Sequence, residues 1–495
     1  ARAHYQRARE EAPSVDGGTN EAAILGNLGL VARNLGEYER ARQRHQRSLE
    51  IFREIGDRSG EASSLGNLGL VVQSLGEYER ARQRHQRSLE ISREIGDRSG
   101  EANSLNSLGV VARHLGEYER VRQRHQQSLE ISREIGDRSG EANSLNNLGL
   151  VAQSLGEYER ARQRFEEGLE IEREIRDRQG EAKSLNNLGN VARNLGEYER
   201  ARKRFEESLE IFREIGDRNG EATSLGNLGL VARNLGEYER ARKRFEESLE
   251  IFRDLGDRNG EATSLGNLGN VAQSLGEYER SRDRHQESLE IAREIGDRSE
   301  EANSLNNLGL VVQSLGEYER ARQRNHESLE IAREIGDRSG EANSLNGLGL
   351  VARHLGEYER AREHFEESLN IFREIGDRSG EVKSLTNLGA VAGNLGEYER
   401  ARQYFEECLE IAREIGYRSG EANSLDNLGV VAQSLGEYER ARQRHQQSLE
   451  IFREIGAVRD TLTALSNLSQ VAVTVGEEET ATDACEDALE LIEAS

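Results

Sequence analysis

An octapeptide, LGEYERAR at residues 35–42, returns in the same or nearly the same letters at 75, 115, 155, 195, 235, 275, 315, 355, 395 and 435. This forty-residue period constrains the chain more tightly than its length does. A chain of 495 residues would ordinarily be divided into roughly three domains. A fixed period predicts instead one kind of small unit, repeated and stacked on itself.

One period, residues 21–60, reads EAAILGNLGLVARNLGEYERARQRHQRSLEIFREIGDRSG. At about 100° per residue, Ala22, Leu25, Leu28, Gly29, Ala32 and Leu35 fall on one arc, which predicts a leading helix. Gly36 can take the left-handed conformation that ends it, and Glu37 then places a carboxylate at the positive start of the next helix. Tyr38, Ala41, His45, Leu49, Phe52 and Ile55 recur at spacings of three and four and predict a trailing helix, stopped by Gly56. Asp57 or Ser59 can cap the following leading helix, and Glu54 and Arg58 stand four apart in the order that favours pairing. Strand signals are missing, and Pro13 is the one proline. Gly29 inside a helix costs about 1 kcal/mol relative to alanine. Its return at 69, 109, 149 and 189 therefore predicts a close approach of the trailing helix there. A lone pair of helices cannot cover both apolar stripes, so neighbouring pairs must stack into an all-α solenoid.

Leu28-Gly29, Gly36-x-Tyr38-x-x-Ala41, the ring slot at 45 and Ser48-Leu49 resemble the tetratricopeptide repeat over essentially the whole chain. LGNLG at 25, 65, 225 and 265 is similar to the forty-residue form found in Leu-Gly-Asn repeat adaptors, kinesin light chains and sensor regions of prokaryotic signalling NTPases. Departures are the absent tryptophan, Ala32 where the family often has tyrosine, no proline between units, and a period longer than the usual thirty-four. HEAT repeats share the length but not the Gly-Tyr-Ala spacing. The resemblance implies a right-handed superhelical solenoid of stacked antiparallel helix pairs. The expected division is a partial repeat at 1–20 (second helix only), eleven near-identical repeats at 21–460, and a degenerate capping repeat at 461–495. There Ser469 replaces the packing glycine and Glu478 the tyrosine.

On the leading helix, positions 23, 27, 30 and 34 lie opposite the apolar stripe, with 26 and 33 at one flank. In similar tetratricopeptide solenoids this arc lines a concave groove, and the resemblance assigns it that place here. Position 27 is an asparagine row: Asn67, Asn147, Asn187, Asn227, Asn267, Asn307, Asn387 and Asn427. An asparagine amide can pair with both halves of a peptide group. Units about 10 Å apart would meet an extended segment, rising about 3.3 Å per residue, at every third residue. Leu-Gly-Asn proteins hold partner segments this way, which implies the same role for these asparagines. Beside them runs an apolar row, Leu70, Val110, Leu150, Leu230, Leu310 and Leu350, interrupted by Asn190 and Asn270. Arg113, Arg193, Arg233, Arg353 and Lys183 form a basic flank. Near-identical units carry an idle asparagine as faithfully as a useful one, so repetition alone does not mark a contact.

His45, His85, His125, His285 and His445 share their slot with Phe165, Phe205, Phe245, Phe365 and Phe405, and are expected to pack as half-buried rings. Slots one period apart are too distant to share a metal. No phosphate loop, nucleophile elbow or zinc-spaced cysteine pair is present, so no catalytic residue, metal or cofactor is expected and the chain reads as a non-enzyme. Cys408 and Cys485 lie nearly two periods apart, too far for a disulfide, and read as buried small apolar groups.

A formal charge of -24 repels phosphates, which disfavours nucleic acid, and no apolar run is long enough for a membrane helix. The expected function is an interaction scaffold or sensor whose groove takes a peptide or protein segment, acidic or amphipathic. The alternative is a structural protein self-assembling through repeat ends or faces into a filament or tube. ARAHYQRARE at 1–10 aligns with the middle of a repeat, so the chain is expected to begin inside a unit. For that reason the compartment stays open, with the cytoplasm favoured and an extracellular place not excluded.

Overall fold

The computed structural model describes residues 18–494. Among these are twenty-four helices, from Thr19–Asn34 to Glu478–Ala494, and no strand. The expected all-α solenoid of stacked antiparallel helix pairs is present. The half unit expected at the start lies largely outside the described residues. The chain divides into two compact units, one ending at Val191 and one beginning at Ala192, and the division falls within the helix Arg178–Asn194.

In the first unit, the pair Arg58–Ser74 and Tyr78–Ile95 shows how the letters set the turns. Gly56 sits at φ 73°, the left-handed region that a β-carbon disfavours, and lets the Asp57 amide return to the Phe52 carbonyl at 2.9 Å. Of the two possible caps, Asp57 is used: its Oδ1 accepts from the Gly60 amide at 2.9 Å. Arg58 does not pair with Glu54. The reversal at Gly56 breaks the helical register between them, and Arg58 meets Glu61 at 2.5 Å and Glu94 of the next trailing helix instead. Glu61 is buried, and its Oε1 also accepts from Arg53 Nε at 2.9 Å. Burial alone would raise its carboxyl; the hydrogen bonds from Arg53 and Arg58 outweigh that and hold it below the ordinary value.

The core is a chain of small clusters, each drawing on consecutive helices. Leu49, Ala62, Leu65, Leu68 and Ile91 form one in the first unit. In the second unit, Phe245 and Leu249 pack with Ala262, Leu265, Leu268, Val271 and Ile291. Each fully buried leucine contributes roughly 2 kcal/mol. Two buried hydroxyls are satisfied by carbonyls of the preceding leading helix: Ser48 donates to the Ala22 carbonyl at 2.8 Å, and Ser368 to that of Ala342 at 2.8 Å.

The recurring glycine has the role its cost implied. A β-carbon at Gly29 would stand 2.5 Å from His45 Nε2, and one at Gly149 2.6 Å from Phe165 Cε1. Because the ring lies flat on bare backbone, the histidines are fully buried, not half-buried: His45 and His285 expose nothing. Both apolar stripes surface at their last residue, Leu35 at 60% and Ile55 at 39% exposed, where the chain turns away from its neighbours. Cys408 is buried, but Cys485 is exposed on the helix Glu478–Ala494, correcting its reading as a core residue.

Candidate functional site

Leading helices bury Ala62, Leu65, Leu68 and Gly69 and their equivalents, which leaves the opposite arc uncovered by the chain's own packing. In the first unit Asn67, Asn147 and Asn187 are half-exposed, as are Leu70, Val110 and Leu150 one helical turn on. In the second unit Asn227, Asn267, Asn307, Asn387 and Asn427 are half-exposed, beside Leu230, Leu310 and Leu350. Asn387 reaches Asn346 Oδ1 at 3.3 Å. The side-chain amides of Asn67, Asn147, Asn187, Asn267, Asn307 and Asn427 make no hydrogen bond among the described residues. The structure thus brings the asparagine and apolar rows side by side within each unit.

Basic residues flank this arc in both units. Arg113 is half-buried and Lys183 exposed in the first. In the second, Arg193, Arg233 and Arg353 are half-buried, with no carboxylate partner among the described residues. Burial pulls each guanidinium below its ordinary value, and Arg233 adds its repulsion at Arg193. Lys383 is exposed, yet burial also pulls its ammonium down; Asp377 opposes the shift. Lys383 Nζ donates to Asn343 Oδ1 at 3.1 Å across adjacent pairs.

His114 and His354 end two leading helices. Each stacks on the tyrosine that starts the preceding trailing helix: His114 on Tyr78 with centroids 4.5 Å apart, and His354 on Tyr318 at 5.6 Å. The thirty-six-residue spacing of Tyr78 and His114 carries that signal once the period is known. Position 26, placed at the flank, is partly core: Asn346 is buried and donates to Ser368 at 2.8 Å and Ser384 at 3.0 Å. Among the described residues no three metal-ligating side chains come together. No described helix is long and apolar enough to cross a membrane.

Helix pairs joined by a glycine-on-ring seam, with one arc of each leading helix left uncovered, define a helical-repeat solenoid. The sequence pattern of the tetratricopeptide repeat matches residues 1–54, 20–94, 100–174, 180–254, 260–334, 300–374, 340–414, 380–454 and 420–494. The chain belongs to the tetratricopeptide repeat family, whose repeats mark a protein-interaction scaffold. No curated protein matches it. Among solved structures, the chain is similar to BtubC (BKLC) from P. vanneervenii at 18% identity, over 45% of this chain and 91% of that one, TM-score 0.37. It is also similar to the apo form of RapI at 19% identity, over 56% and 99%, TM-score 0.47. A third is a Rap protein complexed with competence and sporulation factor, at 15% identity, over 72% and 98%, TM-score 0.48.

Proposed function

We propose that the uncovered arc of the leading helices holds an extended peptide or protein segment, acidic or amphipathic. What supports this reading is a row of half-exposed asparagines, of which Asn67, Asn147, Asn187, Asn267, Asn307 and Asn427 make no side-chain hydrogen bond among the described residues, beside a half-exposed apolar row. The amides hydrogen-bond the segment's backbone, the leucines take its apolar side chains, and Arg193, Arg233 and Arg353 favour carboxylates. No catalytic residue or cofactor is assigned.

The test selects binders from a random-peptide display library on the wild-type chain. Selected peptides are then titrated against the triple variant Asn227→Ala, Asn267→Ala, Asn307→Ala, with circular dichroism as the folding control. Binding should weaken at least tenfold, and Arg193→Ala with Arg233→Ala should weaken the acidic peptides selectively. Equal affinity for the triple variant would remove the arc from the proposal.

A second reading, self-assembly, is favoured by the separation of charge along the chain. The helices Tyr38–Ile55 and Tyr78–Ile95 each hold five arginines against three glutamates, whereas Glu478–Ala494 holds seven acids and no base.

A further inference from the structure

Position 44 of each period is usually an arginine on the trailing helix, and position 47 decides what it meets. Arg204 pairs with Glu207 at 3.0 Å, and Arg244 with Glu247 at 2.9 Å. In the first three trailing helices, position 47 is Arg47, Arg87 and Gln127. Arg44, Arg84 and Arg124 accordingly have no carboxylate partner among the described residues. Arg124 bonds only the neutral amide of Gln127, at 3.4 Å. Arg40, Arg80 and Arg120 stand one turn away and are exposed, each paired with the glutamate three residues before it, so the unneutralised charge of the face is that of Arg44, Arg84 and Arg124. On a chain of net charge -24, this face is locally basic.

The complementary surface is on the same chain. Along Glu478–Ala494, Glu479, Asp483, Glu486 and Glu490 recur at spacings of four, three and four, and all are exposed. Leu489 stands among them at 60% exposure. The acidic strip is about 16 Å long at a rise of roughly 1.5 Å per residue. Three trailing helices about 10 Å apart spread their three arginines over a similar length, so one acidic helix can reach all three.

We propose that the trailing-helix face carrying Arg44, Arg84 and Arg124 receives the helix Glu478–Ala494 of a second copy of this chain. The inference rests on the self-assembly reading and names its surfaces. Because the two faces differ, the contact is heterologous and adds copies head to tail. A protein helix suits the face better than a polyphosphate does. Leu489, exposed among the acids, adds an apolar contact that a phosphate backbone lacks.

Sedimentation velocity over a concentration series, at about 0.15 M salt where exposed charges interact within about 8 Å, tests the contact. The wild-type chain should form concentration-dependent oligomers. Arg44→Glu, Arg84→Glu, Arg124→Glu together should weaken association at least tenfold, and so should Asp483→Arg, Glu486→Arg, Glu490→Arg. Mixed in equal amounts the two triple variants should associate again, since each now supplies the other's opposite charge, a result that misfolding cannot produce. Oligomers indifferent to both variants would overturn this interface and leave self-assembly standing. Wild-type chain that stays monomeric throughout would overturn both. A short DNA duplex that binds the wild type and not the arginine variant, with no oligomers formed, would replace the second copy with a nucleic acid.

Discussion

The imidazole of His45 lies against Gly29 with Nε2 only 2.5 Å from where a β-carbon would stand, so ring and backbone share a space that no other residue type permits. The same contact recurs as Phe245 on Gly229, with Cε1 2.7 Å from the added carbon. It is the seam of most helix pairs; at Gly309 the Asn325 amide takes the place of the ring.

That seam reverses the usual effect of glycine replacement. Gly226 and Gly229 lie on one helix, Arg218–Asn234, but a β-carbon at Gly226 meets only Ser248 Oγ at 3.7 Å. Gly226→Ala should stabilise by about 1 kcal/mol, the ordinary helical gain. Gly229→Ala should destabilise by about 1–3 kcal/mol through overpacking. Urea titration of the two variants checks the opposite signs; a gain at both positions would mean that the ring is free to move.

The buried histidines make the structure sensitive to acid. Burial lowers His45, His85, His125 and His285 to about 4, with Arg33 adding repulsion at His45 and Arg113 at His125. His45, His85 and His285 have no hydrogen-bond partner for either ring nitrogen, and His125 Nδ1 meets Asn106 Oδ1 at 2.8 Å. Because the folded values lie below the ordinary 6.5, the unfolded chain binds protons first. Stability should therefore fall as pH drops from about 6.5 towards 4, by roughly 3 kcal/mol for each ring that stays buried. His45→Phe, His85→Phe, His125→Phe together should flatten this dependence, read as urea midpoints at neutral and acid pH.

One period carries strain that its siblings lack. Arg176 sits at φ 59°, where the other trailing helices that end in a left-handed turn use glycine, and Arg176→Gly should stabilise by about 1 kcal/mol. Four residues before it, Glu172 is buried, with one oxygen accepting from Asn146 at 2.8 Å and Oε2 unpartnered. Burial raises its carboxyl above the ordinary 4.5; the hydrogen bonds from Ser184 and Asn146 oppose this incompletely. A raised folded value stabilises below the unfolded one and is lost as pH climbs through it. Glu172→Ala should stabilise the chain at neutral pH by about 1–3 kcal/mol and remove this acid-side gain; calorimetry at two pH values checks both.

The helix boundaries, the left-handed glycines, Asp57 as one of two candidate caps and the seam at Gly29 were legible, because each follows from backbone geometry inside one period. The asparagine, leucine and arginine rows were legible as an arc, since one helical turn relates Asn67 to Leu70. Relations across the turn were not. Gly60 packs its backbone on the Phe52 ring, and Gly220 on that of Phe212, contacts that need the angle between trailing and leading helices. The choice of Glu61 over Glu54 by Arg58 depends on the reversal at Gly56, and the burial of Asn346 on how closely the next pair stacks.

Since the ring-on-glycine joint is the same at one pair after another, recombination that inserts or deletes whole forty-letter blocks leaves matching surfaces at the splice. The lineage can therefore lengthen or shorten this molecule in discrete steps without inventing a new junction, and its reach is inherited as a number.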